Sequence, residues 1–360
     1  MKFDMEAKSY EGITFILIAL VKKAQLDQQE ILNEKNLNQT SGICPEQFAK
    51  AKRFGQYAIN MYPTSWKGDL DSIAERMGIS SDAIIMVWFN DDEEEGHCPK
   101  FLLFIDHEVK SVVLAIRGTF CIKDAILDVV CDEIPFLDGH AHKGILVGAR
   151  RIIEKVKDDL ISSFLTYPDY QLIVTGHSLG AGTAELITLD LMLGRHCNIT
   201  PPGTKITCIA LAAPPVYRPG SSLPEHVISA IQIYINNYDC VPRLSLGSVA
   251  RLLASMRAVD SLGLSLSEQL SILMERESEN VEKNTKRLLE AVKLARQDKF
   301  PLLDHPGRIF HAQKLPGEET HQVMHTSHSQ VFTEALLLLD NMILDHLHTS
   351  YETTFQNIIL

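Results

Sequence analysis

The chain has 360 residues, 45% of them hydrophobic and 22% charged, with a formal net charge of −12 at pH 7. That length holds one large domain or two small ones, and the composition is that of an ordinary globular protein. The negative charge argues against nucleic acid as a partner and against electrostatic attachment to anionic membranes, but not against contact with neutral lipid through apolar surface.

The first signal in chain order is ITFILIALV at 13–21, too short to span a bilayer. Asp4, Glu6 and Glu11 precede it, and Lys22-Lys23 follows without an A-x-A site. It therefore reads as a buried helix rather than a signal peptide or membrane span, and a cytoplasmic location is expected. The seven cysteines form no CxxC pair and no metal spacing, which predicts free thiols. Residues 1–80 are expected to be a helical segment packed on the core of a domain spanning 81–360.

Short apolar runs follow: AIIMVWF at 83–89, FLLFID at 101–106 and SVVLAI at 111–116, each of strand length. The acidic NDDEEEGH at 90–97 reads as a solvated turn. Residues 143–165 form an amphipathic helix, QLIVT at 171–175 a buried strand, and the stretch from Ala181 another helix. Further strands are predicted at 205–213, 230–236 and 308–314. Strands separated by helices in one long chain indicate an α/β fold, a mostly parallel sheet with helices on both faces. Residues 247–300 are helix-forming and interrupt this order before the last predicted strand. They fit either a cap over a site or extra helices on an edge.

Between the strand at 171–175 and the following helix lies GHSLG, with Gly176, Ser178 and Gly180 at G-x-S-x-G spacing. On a sharp strand-to-helix turn, the residues two away from the serine must be small, and the turn lifts the serine Oγ above the sheet. Ser178 is thus a candidate nucleophile. A serine nucleophile needs a base, and the base needs a carboxylate to fix its tautomer, in the chain order Ser, acid, His on such a sheet. Asp239 follows the strand AIQIYIN in a loop closed by Pro242 and fits the acid. For the base, His321 and His325 at i, i+4 in HQVMHTSH suggest a zinc pair, but the motif lacks the glutamate of hydrolytic zinc helices. His346 continues an apolar stripe of Phe332, Leu336, Leu339 and Ile343, which predicts a helix-borne histidine turned toward the sheet. The oxyanion donors are expected to be the N–H groups of Leu179 and of Thr119, the latter following Gly118 after the strand at 111–116.

The stretches IRGTFCIKDAILD, AHKGI, VTGHSLGAGTAEL, NNYDCVPRLS, PGRIFH and MILDHLHTSY, in this order along the chain, resemble those of the class 3 lipases of the α/β-hydrolase fold, most of all the sn-1-specific diacylglycerol lipases. The resemblance implies that Ser178, Asp239 and His346 form a catalytic triad, with Thr119 and Leu179 as the oxyanion hole. It implies a serine carboxylester hydrolase on neutral acylglycerols, with no metal and no organic cofactor. It also places 247–300 where these lipases carry a variable loop thought to gate the site. The membrane-bound animal members begin with four transmembrane helices, which have no counterpart here. The expected partners are an acylglycerol substrate and, peripherally, a membrane or lipid-droplet surface, with no nucleic acid. A catalytically silent lipid-binding or scaffold protein is the alternative on the same fold, and its mark would be a lost triad member.

Overall fold

The computed structural model describes residues 43–62, 69–89, 98–118, 132–274, 276–295, 302–314, 320–326, 336 and 341–359. The apolar run at 13–21, the acidic run at 90–97 and Thr119 lie outside these residues.

The strands sort their side chains by alternation, and this builds two hydrophobic layers on one sheet. The strands are β1 (Ile84–Trp88), β2 (Phe101–Asp106), β3 (Ser111–Ile116), β6 (Gln171–His177), β7 (Ile206–Leu211), β9 (Ile231–Asn236), β10 (Arg308–Lys314), β11 (His321–Thr326) and β12 (Ile358–Ile359), paired in that order. Pairing is parallel from β3 through β10 and antiparallel at β1–β2, β2–β3 and β10–β11. Val112, Leu114, Ile116, Leu172, Val174 and Ile233 face one layer, while Val113, Ala115, Ile173, Ile209 and Tyr234 face the other.

The first layer is covered by α3 (Lys143–Thr166) and α4 (Leu179–Leu193). In α3, Ile145, Ala149, Ile152, Val156 and Leu160 form one buried stripe at helical spacing. Helix α4 is buried all round from Leu179 to Leu191, as a helix with apolar residues on every face must be. It carries one anomaly. Glu185 is fully buried and neither carboxyl oxygen has a hydrogen-bond partner, so burial pushes its pKa well above the usual carboxylate range.

The second layer is covered by α1 (Pro45–Asn60), α2 (Leu70–Met77) and α9 (His348–Asn357) through Phe48, Phe54, Ile73, Met77, Tyr351 and Phe355. Helix α1 is also tied to the end of β2. Arg53 forks onto the Asp106 carboxylate at 2.8 and 3.0 Å, and the Tyr57 hydroxyl donates to it at 2.7 Å.

Several elements depart from expectation. Short, polar β4 (Glu133–Phe136), β5 (Gly139–His142) and β8 (Tyr217–Arg218) form a separate antiparallel sheet. The stretch containing His321 and His325 is β11, the strand next to the sheet's edge, not a helix. Residues four apart on a strand are separated by about 13 Å along the backbone, so the i, i+4 spacing does not bring these two positions together as it would on a helix. Two strands follow β10, so the helical insertion does not immediately precede the end of the sheet. That insertion consists of α6 (Leu246–Asp260), α7 (Leu266–Leu273) and α8 (Glu279–Ala295), and α5 (Glu225–Ala230) leads into β9. The three helices surround a small core of their own made of Val259, Ile272, Leu288 and Val292. Among the described residues, no helix is long and apolar enough to cross a membrane. Among the described residues, Cys44, Cys197, Cys208 and Cys240 carry free thiols.

Candidate active site

Ser178 sits between the last residue of β6 and the first of α4, with φ 59° and ψ −129°, a backbone conformation that costs energy for any non-glycine residue. The turn closes because its flanking residues have no side chain. A Cβ on Gly176 would lie 2.4 Å from the backbone of Gly180, and one on Gly180 would lie 2.5 Å from the Ile116 carbonyl. Strand, helix and neighbouring strand therefore meet only if both positions are glycine. The strain directs the serine hydroxyl outward from the sheet's carboxyl edge, as the motif predicts.

His346 Nε2 lies 2.8 Å from Ser178 Oγ. His346 Nδ1 lies 2.9 and 3.1 Å from the two carboxylate oxygens of Asp239. All three side chains are buried, with relative exposures of 1%, 3% and 0%. The carboxylate is held in turn: the Val241 N–H donates to Oδ1 at 2.9 Å and the Tyr351 hydroxyl to Oδ2 at 2.7 Å. Burial and the Asp239 charge keep the Tyr351 phenol far above its ordinary pKa, so it is a permanent donor. With Nδ1–H donated to Asp239, Nε2 is left as the acceptor for the serine proton, the tautomer a general base needs.

His346 does not stand on a helix. Residues 341–347 are turns, and Ile343 in the supposed stripe is 43% exposed. The turn 341–347 is instead stitched to the loop after β9. Asn236 Nδ2 donates to the Asp345 carbonyl, the Tyr238 N–H donates to the Asp345 carboxylate, and the Cys240 N–H donates to the Met342 carbonyl. Asn236, Asp345 and Tyr351 escaped the sequence reading; the only signal for them was proximity to Asp239 and His346 in the chain.

Leu179 opens α4, and the first N–H groups of a helix have no intrahelical carbonyl to bond. Its amide is thus a donor beside Ser178. Gly118, the residue before Thr119, reaches the same place: a Cβ there would sit 3.1 Å from Ser178 Cβ. The other histidines near the site are spoken for. His305 bonds the Pro242 carbonyl, and His311 the Asn237 carbonyl. Among the described residues no group of His, Cys, Asp or Glu is arranged to hold a metal ion.

Residues 113–249 match the class 3 lipase family, a segment that runs from β3 through the nucleophile turn and Asp239 into α6. Mouse diacylglycerol lipase-beta is 31% identical over 189 residues, 50% of this chain and 26% of the relative. Human diacylglycerol lipase-alpha is 31% identical over 167 residues, 41% of this chain and 15% of the relative. The matched stretch thus spans 26% and 15% of the length of these two relatives. Among solved structures, Rhizomucor miehei lipase in complex with its propeptide superposes with a TM-score of 0.54 at 16% identity, covering 85% of this chain and 81% of that one. A triacylglycerol lipase described as having a serine protease triad at its catalytic centre gives a TM-score of 0.52 at 16% identity, covering 85% and 95%. These likenesses show the fold, which is that of the α/β-hydrolases.

Proposed function

We propose, for a chain with class 3 lipase sequence at 113–249, a serine carboxylester hydrolase that cleaves fatty-acyl esters of neutral acylglycerols, diacylglycerol foremost. The observation that carries the reading is the hydrogen-bonded line from Ser178 Oγ through His346 to Asp239. In this reaction Ser178 Oγ attacks the ester carbonyl as His346 Nε2 takes its proton. Asp239 stabilises the imidazolium that forms. The N–H groups of Leu179 and Thr119 bind the oxyanion of the tetrahedral intermediate, each such donor being worth about 3 kcal/mol. His346 then protonates the departing glyceride oxygen, leaving an acyl-Ser178 ester. Water, deprotonated by His346, attacks that ester and frees the fatty acid.

The substrate class is supported by the diacylglycerol lipases among the relatives and by the net charge of −12, which disfavours anionic lipid. Helices α6–α8 serve as a cap. Their own small core lets them move as a unit, and Leu253, Leu266, Leu270 and Met274 on them are exposed. Apolar surface of that kind fits peripheral contact with a lipid phase.

The test is hydrolysis of mono-, di- and triacylglycerols by purified protein, with Ser178→Ala as control and a fluorophosphonate probe to report on the nucleophile. Diacylglycerol turnover and probe labelling are expected in the wild type and absent from Ser178→Ala. Lipid binding without hydrolysis would replace the enzyme by the scaffold alternative.

A further inference from the structure

Two buried side chains that the acyl-transfer steps do not use lie directly behind the nucleophile. Tyr62 follows α1, and His177 is the last residue of β6; their relative exposures are 6% and 3%. The Gly118 N–H donates to the Tyr62 hydroxyl at 3.0 Å. That hydroxyl lies 3.2 Å from His177 Nδ1 and 3.4 Å from the His177 carbonyl. On the far side of the ring, His177 Nε2 lies 2.9 Å from the backbone carbonyl of His346.

The direction of each bond follows from the chemistry. A carbonyl can only accept, so His177 Nε2 carries a proton. Burial holds the His177 pKa well below its ordinary value, so the ring is neutral and Nδ1 is bare. The Tyr62 O–H, nearest to Nδ1, donates to it, while its oxygen accepts from Gly118. The result is one polarised chain: Gly118 N–H to Tyr62 O–H to His177, then His177 Nε2–H to the carbonyl of His346. Its two ends are backbone atoms of the two loops that flank Ser178. Stacking fixes the middle, with the Tyr62 ring 4.7 Å from His348 and edge-on to His177 at 5.3 Å. A neutral His177 also matters because its ring is 5.0 Å from that of His346, and a cation there would oppose the imidazolium the base must become.

We propose that Tyr62 and His177 are positioning residues: they hold the loop after β3, next to the oxyanion donors, in register with the turn that carries His346. The proposal rests on the acyl-transfer reading above. It adds that base and oxyanion site are set relative to each other by a bridge that never touches substrate.

Three variants separate the links. Tyr62→Phe keeps the stacked ring and removes the hydroxyl. His177→Gln carries its amide nitrogen about as far as imidazole Nε2 and keeps the donor to His346. His177→Asn reaches only to the Nδ1 position and loses that donor. With p-nitrophenyl butyrate and the full chain, kcat is expected to fall about tenfold in Tyr62→Phe and His177→Asn, with KM changed less than about twofold, as for loss of one buried hydrogen bond that orients a catalytic group. His177→Gln is expected to recover most of the rate lost in His177→Asn. Nitrogen-15 imidazole spectra of the wild type and of Ser178→Ala are expected to show His177 as the neutral Nε2–H tautomer from about pH 5 to pH 8. An Nδ1–H tautomer or an imidazolium would overturn the bridge whatever the activity. Wild-type kcat in both Tyr62→Phe and His177→Asn, or equal loss in Gln and Asn variants alongside equal loss of melting temperature, would overturn the positioning role alone. A wild type that hydrolyses no ester would remove the acyl-transfer reading, and the role with it.

Discussion

Asn236 Nδ2 donates to the backbone carbonyl of Asp345 at 3.0 Å, across 109 residues of chain, one residue before His346. The same asparagine accepts from the Thr354 hydroxyl at 2.9 Å, and its N–H donates to the Tyr351 oxygen at 3.0 Å. Tyr351 in turn bonds Asp239. One buried side chain thus couples the acid's loop, the base's turn and helix α9.

Replacing that asparagine should loosen all three. Asn236→Ala leaves the Asp345 carbonyl and the Thr354 hydroxyl without their partner in a buried setting, a cost of about 1–3 kcal/mol. Urea denaturation is expected to show that loss, and the esterase rate is expected to fall further than stability alone explains because His346 is no longer held. Unchanged denaturation midpoints would show that water or a neighbour replaces the amide.

His346→Ala should remove turnover by several orders of magnitude, leaving what the oxyanion donors and binding still supply. His321→Ala should retain most of it, since His321 stands on β11 and bonds Asn237 rather than Ser178. Comparable losses in the two variants, both folded by circular dichroism, would unseat His346 as the base.

Stability should fall as pH drops from 6.5 toward 4. His311 is buried with Nε2 donating to the Asn237 carbonyl, and burial lowers its pKa from 6.5 to about 4. Between those values the unfolded chain binds a proton that the folded one refuses, so unfolding gains as pH falls, and the cost is complete below about 4. At about 1.4 kcal/mol per pH unit, the full effect is roughly 3 kcal/mol. His177, shifted the same way by burial, adds to it. Urea midpoints at neutral and mildly acid pH measure the slope, and His311→Gln is expected to flatten part of it. An equal slope in the variant would assign the loss to other groups.

For the cap, Leu266→Ser/Leu270→Ser is the informative change, because these side chains are 62% and 39% exposed and contribute little to packing. A soluble short-chain ester and an emulsified long-chain one are compared. The expected result is selective loss on the emulsion, with short-chain turnover kept or raised and attachment persisting at high salt. Equal loss on both, with a lower melting temperature, would make α6–α8 ordinary packing.

Local pattern carried much of this molecule. The apolar runs at 101–106, 111–116, 171–175 and 308–314 became strands because each is buried on two faces, and GHSLG became the turn its glycines require. The elements that escaped were those with little apolar signal. GHAH of β5 pairs only within a small side sheet, and HQVMHT of β11 is polar because it lies near the sheet's edge. His346 was legible for a reason that did not hold. Phe332 and Leu339 of its expected stripe lie outside the described residues, and His346 itself stands on a turn held by the bonds of Asp345 to Asn236 and Tyr238, which leave no periodicity in the chain.

The unpartnered carboxyl of Glu185 has a consequence for the proton stoichiometry of folding. Burial favours the neutral form of this side chain inside α4 relative to the unfolded chain, so just above its ordinary titration range folding takes up a proton from the solvent. Its contribution runs opposite to that of His311: complete below about pH 4.5 and lost as pH rises through the raised folded value. The heat of unfolding of this protein therefore depends on the buffer that receives the proton, and calorimetry in phosphate and in Tris will return different enthalpies for the same transition.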